Sequence, residues 1–307
     1  MNRHSVNWKG YIPAITTPYS EDGELDWKNW GRLLNWLVDE GMHGIVINGT
    51  TGEWFSQSFE EQKKLFKEAA KHIQNRIPVI AGCTAYTAEQ VVELAKVAYE
   101  KNLSGILVAL PPYIVPTEDE ILNYFQYISD HVELPICIYN WPRGTNVDLS
   151  IDLVKKLCKI DKVVAIKNST PDFGHFINTF FAVKDDIRYF GFPMNEVGYH
   201  LIKTHGGDGT MGAGAILGRV HPDFYNYLWK NEKEKALENG AKDGYLFRSF
   251  FNTDFSGKVA SPQAITKEAL NLRGLPGGYP RPPILPLTSE QRETVKAILN
   301  KIEGIQL

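Results

Sequence analysis

The chain has 307 residues, 43% of them hydrophobic and 22% charged, which is enough to bury one barrel-sized core and excludes a predominantly disordered state. Lysine and arginine total 33 against 36 aspartates and glutamates, a net charge of −3 without basic blocks. That balance leaves no electrostatic footprint for nucleic acid or an anionic membrane and points to small-molecule chemistry.

Short apolar runs rich in Val, Ile and Leu alternate with longer segments whose apolar residues recur at helical spacing, the signature of βα units. Strands are predicted at 11–17, 43–48, 78–82 and 105–110, each followed by a helix, at 27–40, 60–74, 88–101 and 118–131. The second half repeats the pattern, with strands at 135–140, 163–167, 187–192 and 209–212 and helices at 150–158, 173–183, 196–204 and 221–229. Runs such as Gly105-Ile-Leu-Val-Ala-Leu110 are continuously apolar, as expected of parallel strands covered on both faces. Eight such units predict a TIM (β/α)8 barrel. The open doubly wound alternative lacks a GxGxxG after its first strand.

Beyond residue 230 the strand signal stops. Helices are expected at 233–251, 261–272 and 289–302, with an extended Gly/Pro connector at 273–286. The expected organisation is a barrel over 1–230 and a C-terminal helical appendage over 231–307. Cys83, Cys137 and Cys158 are odd in number and widely spaced, so they read as buried thiols of a reducing compartment. The polar segment at 1–10 and the lack of an apolar run of about 18 residues make the cytoplasm the expected location.

In such a barrel the chemistry sits where strands end. Strand six, Val163-Val-Ala-Ile-Lys167, ends in a lysine. It either turns outward to a carboxylate or points into the mouth, where desolvation would free its lone pair for attack on a ketone. Strand five ends in Tyr139, either a packed aromatic or a general acid and base beside that lysine. Strand two ends in Gly49-Thr50-Thr51-Gly52-Glu53, a tight turn whose hydroxyls and amides suit a carboxylate. Strand four ends in Leu110-Pro-Pro-Tyr113, by itself a packing or interface residue.

Together these residues resemble the dihydrodipicolinate synthase and N-acetylneuraminate lyase family of Schiff-base (class I) aldolases and lyases, a likeness that spans most of the chain. It rests on Gly49-Thr-Thr-Gly-Glu53, Pro111-Pro-Tyr113, Tyr139-Asn-x-Pro142 and the apolar run ending in Lys167. The resemblance implies an imine between Lys167 and pyruvate or the pyruvoyl end of a 2-oxo acid, with Tyr139 moving the proton. It also implies a relay through Thr50 to Tyr113 of an adjoining subunit, hence at least a dimer, and the resemblance points further to a homotetramer built as a dimer of dimers. Gly49, Thr51 and the loop amides would hold the substrate carboxylate, and Gly191 and Met211 would line the lysine. The imine itself serves as electron sink, so no cofactor is expected. The histidines form no cluster at metal spacing, so no metal site is assigned.

The pattern departs from the synthases at two loops. Their arginine for the distal carboxylate falls on Gly144, with Arg143 one place earlier, and Lys167 is followed by Asn168-Ser-Thr170. Either the loop shifts to bring the Arg143 guanidinium inward as a substrate-binding group, or the second-substrate pocket differs, the reading that both changes favour. The first expectation is therefore an aldolase or dehydratase acting on a 2-oxo-3-deoxy sugar acid, whose hydroxyls Asn168, Ser169 and Thr170 suit. The runner-up is 4-hydroxy-tetrahydrodipicolinate (dihydrodipicolinate) synthesis from pyruvate and aspartate semialdehyde. Readings of other kinds are a catalytically silent 2-oxo-acid-binding relative and a phosphate-binding barrel using the glycines at 205–214, against which Asp208 is expected to repel the anion. Trp54 and Trp141 either pack or narrow the mouth.

Overall fold

The computed structural model, described over residues 1–302, carries the predicted alternation into a parallel barrel. Its strands are β1 (Gly10–Tyr11), β2 (Ile45–Ile47), β3 (Val79–Gly82), β4 (Gly105–Ala109), β5 (Ile136–Asn140), β6 (Val163–Asn168), β7 (Arg188–Phe190) and β8 (Gly209–Thr210). They pair in parallel in the order β1-β8-β7-β6-β5-β4-β3-β2. Ala14 closes the ring, bridging Val46 of β2 on one side and Ala213 beyond β8 on the other. The backbone N–H of Val46 donates to the Pro13 carbonyl at 2.8 Å and that of Ile15 to the Val46 carbonyl at 3.0 Å. A closed ring in sequential order excludes the doubly wound sheet.

The helices between strands are α1 (Trp27–Asp39), α2 (Phe59–Ile73), α3 (Ala88–Glu100), α4 (Glu118–His131), α5 (Pro142–Thr145), α6 (Ile151–Leu157), α7 (Phe173–Val183) and α8 (Glu196–His205). Then α9 (Val220–Trp229) follows β8, and α10 (Lys233–Phe250), α11 (Pro262–Leu272) and α12 (Ser289–Asn300) complete the chain. Their starts are written locally: Ser58 and Glu61 form a capping box on α2, and Thr117 and Glu120 another on α4, each cap stabilising its helix by about 1 kcal/mol.

Two apolar layers hold the barrel. Between sheet and helices lie Leu34, Phe66, Val108, Phe125 and Phe180 among many others, and inside the ring lie Val46, Leu107, Cys137, Ala165, Phe190 and Met211. Each large side chain so buried contributes about 1.5–3 kcal/mol. A third cluster joins Phe250, Ile265 and Leu299 of the last helices to Ile216 and Leu217 after β8, so these helices pack where the barrel's chain ends.

Strand one is shorter than the expected 11–17. The strand assignment ends at Tyr11 and Pro13 has no N–H to donate, although the N–H groups of Ile12 and Ala14 still donate to the Thr210 and Gly212 carbonyls at 2.9 and 2.8 Å. Strand seven stops at Phe190 instead of 192: Gly191 takes φ 130°, and the N–H groups of Gly191 and Phe192 converge on the one Gly209 carbonyl at 3.0 and 3.3 Å. Strand eight spans two residues rather than four. The four-residue α5 is unforeseen, since it is too short to show a period. Residues 303–307 of the expected helical segment lie outside the described residues. Among the described residues no helix is long and apolar enough to cross a membrane.

Candidate active site

Side chains alternate along a strand, so Ala165 and Lys167 of β6 share the barrel's inner side, as do Cys137 and Tyr139 of β5. The register places Tyr139 directly opposite Lys167. The ammonium nitrogen of Lys167 sits 4.2 Å from the centre of the Tyr139 ring, and both side chains are buried. Among the described residues no carboxylate compensates the lysine. Burial therefore pushes its pKa down from the usual 10.5 to about 8, leaving a useful fraction of free amine near neutrality. The neighbouring Cys137 thiol, pushed up to about 12 by burial, stays neutral and offers no counter-charge.

The Tyr139 phenol is also raised by burial, while the hydroxyls of Ser169 and Thr50 lower it again. The structure thus brings together Lys167, Tyr139, Thr50 and Ser169 from the ends of β6, β5 and β2. Gly191 passes so close to β6 that a Cβ on it would stand 2.4 Å from the Asn168 carbonyl. Met211 is buried in the same inner cluster as Tyr139.

Gly49, Thr50 and Thr51 occupy the tight turn after β2, closed by the Gly52 N–H donating to the Gly49 carbonyl at 3.0 Å. Two residues of α11 that sequence reasoning does not single out hold that turn. Gln263 donates through Nε2 to the Thr50 carbonyl at 3.2 Å, and Lys267 forms a buried ion pair with Glu53. Glu53 has a left-handed backbone at φ 60°, so the carboxylate that ends the motif anchors the turn.

Tyr113 is apart from this group within the chain. It is 97% exposed and adopts φ 85°, a conformation that costs a bulky residue about 1–3 kcal/mol. Arg143 also stays apart, paired with Asp254 at 3.1 Å. Asn168 and Thr170 are not available to a substrate. Asn168 donates to the Tyr189 hydroxyl at 2.6 Å and accepts from Asn140 at 2.9 Å, and Thr170 donates to Asp148 at 2.6 Å. Asp208 is likewise internal, held by Arg188 at 2.7 Å and Arg3 at 3.2 Å. Its charge is compensated and repels nothing at the mouth, which corrects the reason given against a phosphate.

Of the two tryptophans, Trp141 stacks on Tyr139 with ring centres 5.4 Å apart, while Trp54 meets Tyr86 and Phe55 edge-on.

Fold and strand-end chemistry together define a (β/α)8 barrel centred on a buried lysine and tyrosine. The sequence matches the model of the Dihydrodipicolinate synthetase family over residues 7–302, and the chain belongs to that family. It is an enzyme of the lyase type. A 4-hydroxy-tetrahydrodipicolinate synthase of Aromatoleum aromaticum is 32% identical over 288 residues, covering 93% of this chain and 95% of that one. Among solved structures, a chloride-inhibited dihydrodipicolinate synthase from Acinetobacter baumannii complexed with pyruvate is 30% identical with a TM-score of 0.87, covering 98% of this chain and 100% of that one. A structure described as the first monomeric dihydrodipicolinate synthase variant is 26% identical with a TM-score of 0.86, covering 97% and 98% of the two chains.

Proposed function

We propose that the protein forms a Schiff base between Lys167 and pyruvate or another 2-oxo acid, and makes or breaks a carbon–carbon bond through the resulting enamine. The observation that carries this is the uncompensated, buried Lys167 beside Tyr139, with its amine lowered to about 8. The free amine attacks the ketone carbon, the oxygen leaves as water after protonation, and a C=N bond forms. A proton leaves the adjacent carbon and its electron pair enters the enamine, the protonated imine acting as sink. In the synthetic direction that carbon adds to an aldehyde, whose oxygen takes a proton, and water then hydrolyses the imine. This sequence needs no dissociable cofactor or metal.

Tyr139 is assigned the proton transfers, with Thr50 as its partner. Gly49, Thr51 and the adjoining amides are assigned the substrate carboxylate, and Gly191 and Met211 the close wall beside Lys167. Tyr113 completes the relay from a second copy of the chain in a homotetramer, a reading supported by its exposure and left-handed backbone. The relatives' names favour an aldol-type condensation with pyruvate. They lend no support to a 2-oxo-3-deoxy sugar acid, and Asn168 and Thr170, expected to meet its hydroxyls, are spent internally. Soluble chemistry of this kind fits the cytoplasm.

Borohydride trapping with pyruvate, read by intact mass and peptide mapping, tests the assignment. An adduct on Lys167 that is lost in Lys167→Ala is expected. Absence of any adduct with pyruvate or larger 2-oxo acids would leave the silent-relative reading in its place.

A further inference from the structure

Trp141 follows the last residue of β5 and packs, half-buried, against the inner cluster that contains Tyr139. Its ring stacks on Tyr139 at 5.4 Å with 23° between planes. On its outer side it meets Phe255, ring centres 5.7 Å apart, and Phe247 of α10 backs Phe255 at 5.8 Å.

Phe255 sits at the tip of a small hairpin between α10 and α11. The Phe251–Gly257 bridge closes this hairpin, and the Asn252 N–H donates to the Ser256 carbonyl at 2.8 Å. The tip is fastened twice to the loop after β5: by Phe255 on Trp141, and by Asp254 on Arg143 at 3.1 Å.

This arrangement fixes what the loop can offer a second substrate. Arg143 is the single basic residue in 141–149, and it pairs with Asp254 at 3.1 Å at the surface, both side chains half-exposed. No side chain fits at position 144 while Trp141 keeps its place, because a Cβ there would stand 2.3 Å from the indole. Next to Tyr139 the loop thus presents the Trp141 indole, and its one cation lies at the surface beside Asp254. The neighbouring polar residues Asn168 and Thr170 are engaged with Tyr189 and Asp148.

We propose that Trp141 and Phe255 form the wall of the acceptor subsite, and that the second substrate is an aldehyde with a flat, apolar, aromatic substituent rather than one bearing a carboxylate or several hydroxyls. A buried aromatic substituent gains from the apolar area and ring contacts, whereas a carboxylate there loses water with no cation in return. The proposal rests on the Schiff-base reading above.

Aldol turnover with pyruvate is measured for benzaldehyde and for succinic semialdehyde, after borohydride trapping has been run on the same preparations. The expected result is a kcat/KM for benzaldehyde at least about tenfold above that for succinic semialdehyde. In Trp141→Ala and in the bulkier Trp141→Leu that preference falls by about tenfold, and Phe255→Leu moves it in the same direction. Trapping of pyruvate by each variant certifies that its barrel is folded. A wild-type preference for succinic semialdehyde, turnover of neither aldehyde, or a selective loss of semialdehyde turnover in Arg143→Gln overturns the proposal while a trapped adduct leaves the Schiff base standing. No adduct in the wild type overturns both.

Discussion

Glu53 and Lys267 form an ion pair that neither shares with solvent, their side chains being 0% and 1% exposed. The ammonium also donates to the Tyr279 carbonyl at 2.7 Å and lies 4.3 Å from the centre of the Tyr19 ring. The carboxylate accepts the Arg281 backbone N–H at 2.9 Å. Burial lowers the Lys267 pKa to about 8, so the lysine remains mostly charged at pH 7. Removing one partner strands the other charge in the interior. Glu53→Gln or Lys267→Met is therefore expected to lose about 3–5 kcal/mol in urea unfolding, with the double variant recovering part of that loss. Two single losses that simply add would show that the pair is not coupled.

Lys167 carries a different cost. Its amine binds a proton below pH 10.5 in the unfolded chain but only below about 8 in the native one. Between those values the unfolded state holds more protons, so this residue's contribution to stability rises with pH across that window. Lys167→Met removes the cost and is expected to stabilise the protein by about 3 kcal/mol at pH 7, a gain that vanishes above about pH 10.5. Lys267 titrates in the same window, so the difference between variant and wild type, rather than either curve alone, isolates Lys167. An equal or lower stability of Lys167→Met at pH 7 contradicts the desolvated amine.

The same lowered pKa sets the rate of imine formation. Below about 8 the free-amine fraction rises about tenfold per pH unit, and above it the fraction levels off. The initial rate of pyruvate trapping should follow that curve, with its bend near 8. A rate still climbing at pH 10 would place the nucleophile elsewhere.

Tyr113 supplies a test of subunit sharing. If its hydroxyl serves a neighbour's site, Tyr113→Ala and Lys167→Ala are each nearly inactive as pure proteins. Once dissociated together and reassembled, they should regain about a quarter of wild-type activity, because half of the dimers are mixed and one of two sites in each is intact. Recovery at the level of the separate proteins would mean that Tyr113 acts within its own chain or not at all.

The central strands were legible because burial on both faces leaves an unbroken apolar run, as in Gly105–Ala109 and Val163–Asn168. Lysine at the end of such a run is conspicuous, and so is tyrosine on the preceding strand. The outer margins of the ring were less so. There the ladder is irregular at Pro13, which has no N–H, and at Gly191, at φ 130°, through backbone chemistry that apolar content does not report. The supports of the site were illegible for another reason. Gln263, Lys267 and Phe255 each meet a residue far away in the chain, and nothing local distinguishes Lys267 from an exposed helix lysine. Asn168 and Thr170 looked free for a substrate because their partners come from elsewhere in the chain, Tyr189 from β7 and Asp148 from the loop after α5.

The long span between Glu53 and its cation also has a temporal side. At about 5–20 residues per second, a ribosome delivers Lys267 roughly 10 to 40 s after Glu53. During that interval the carboxylate has no counter-ion, and water is its only good solvent. The turn that carries Thr50 and Thr51 must then stay open to solvent while the strands around it are already available to pair. The oldest part of the site is thus the last to set, and a chain stopped before α11 would own every residue assigned to the chemistry yet lack the means to bury the carboxylate beside them.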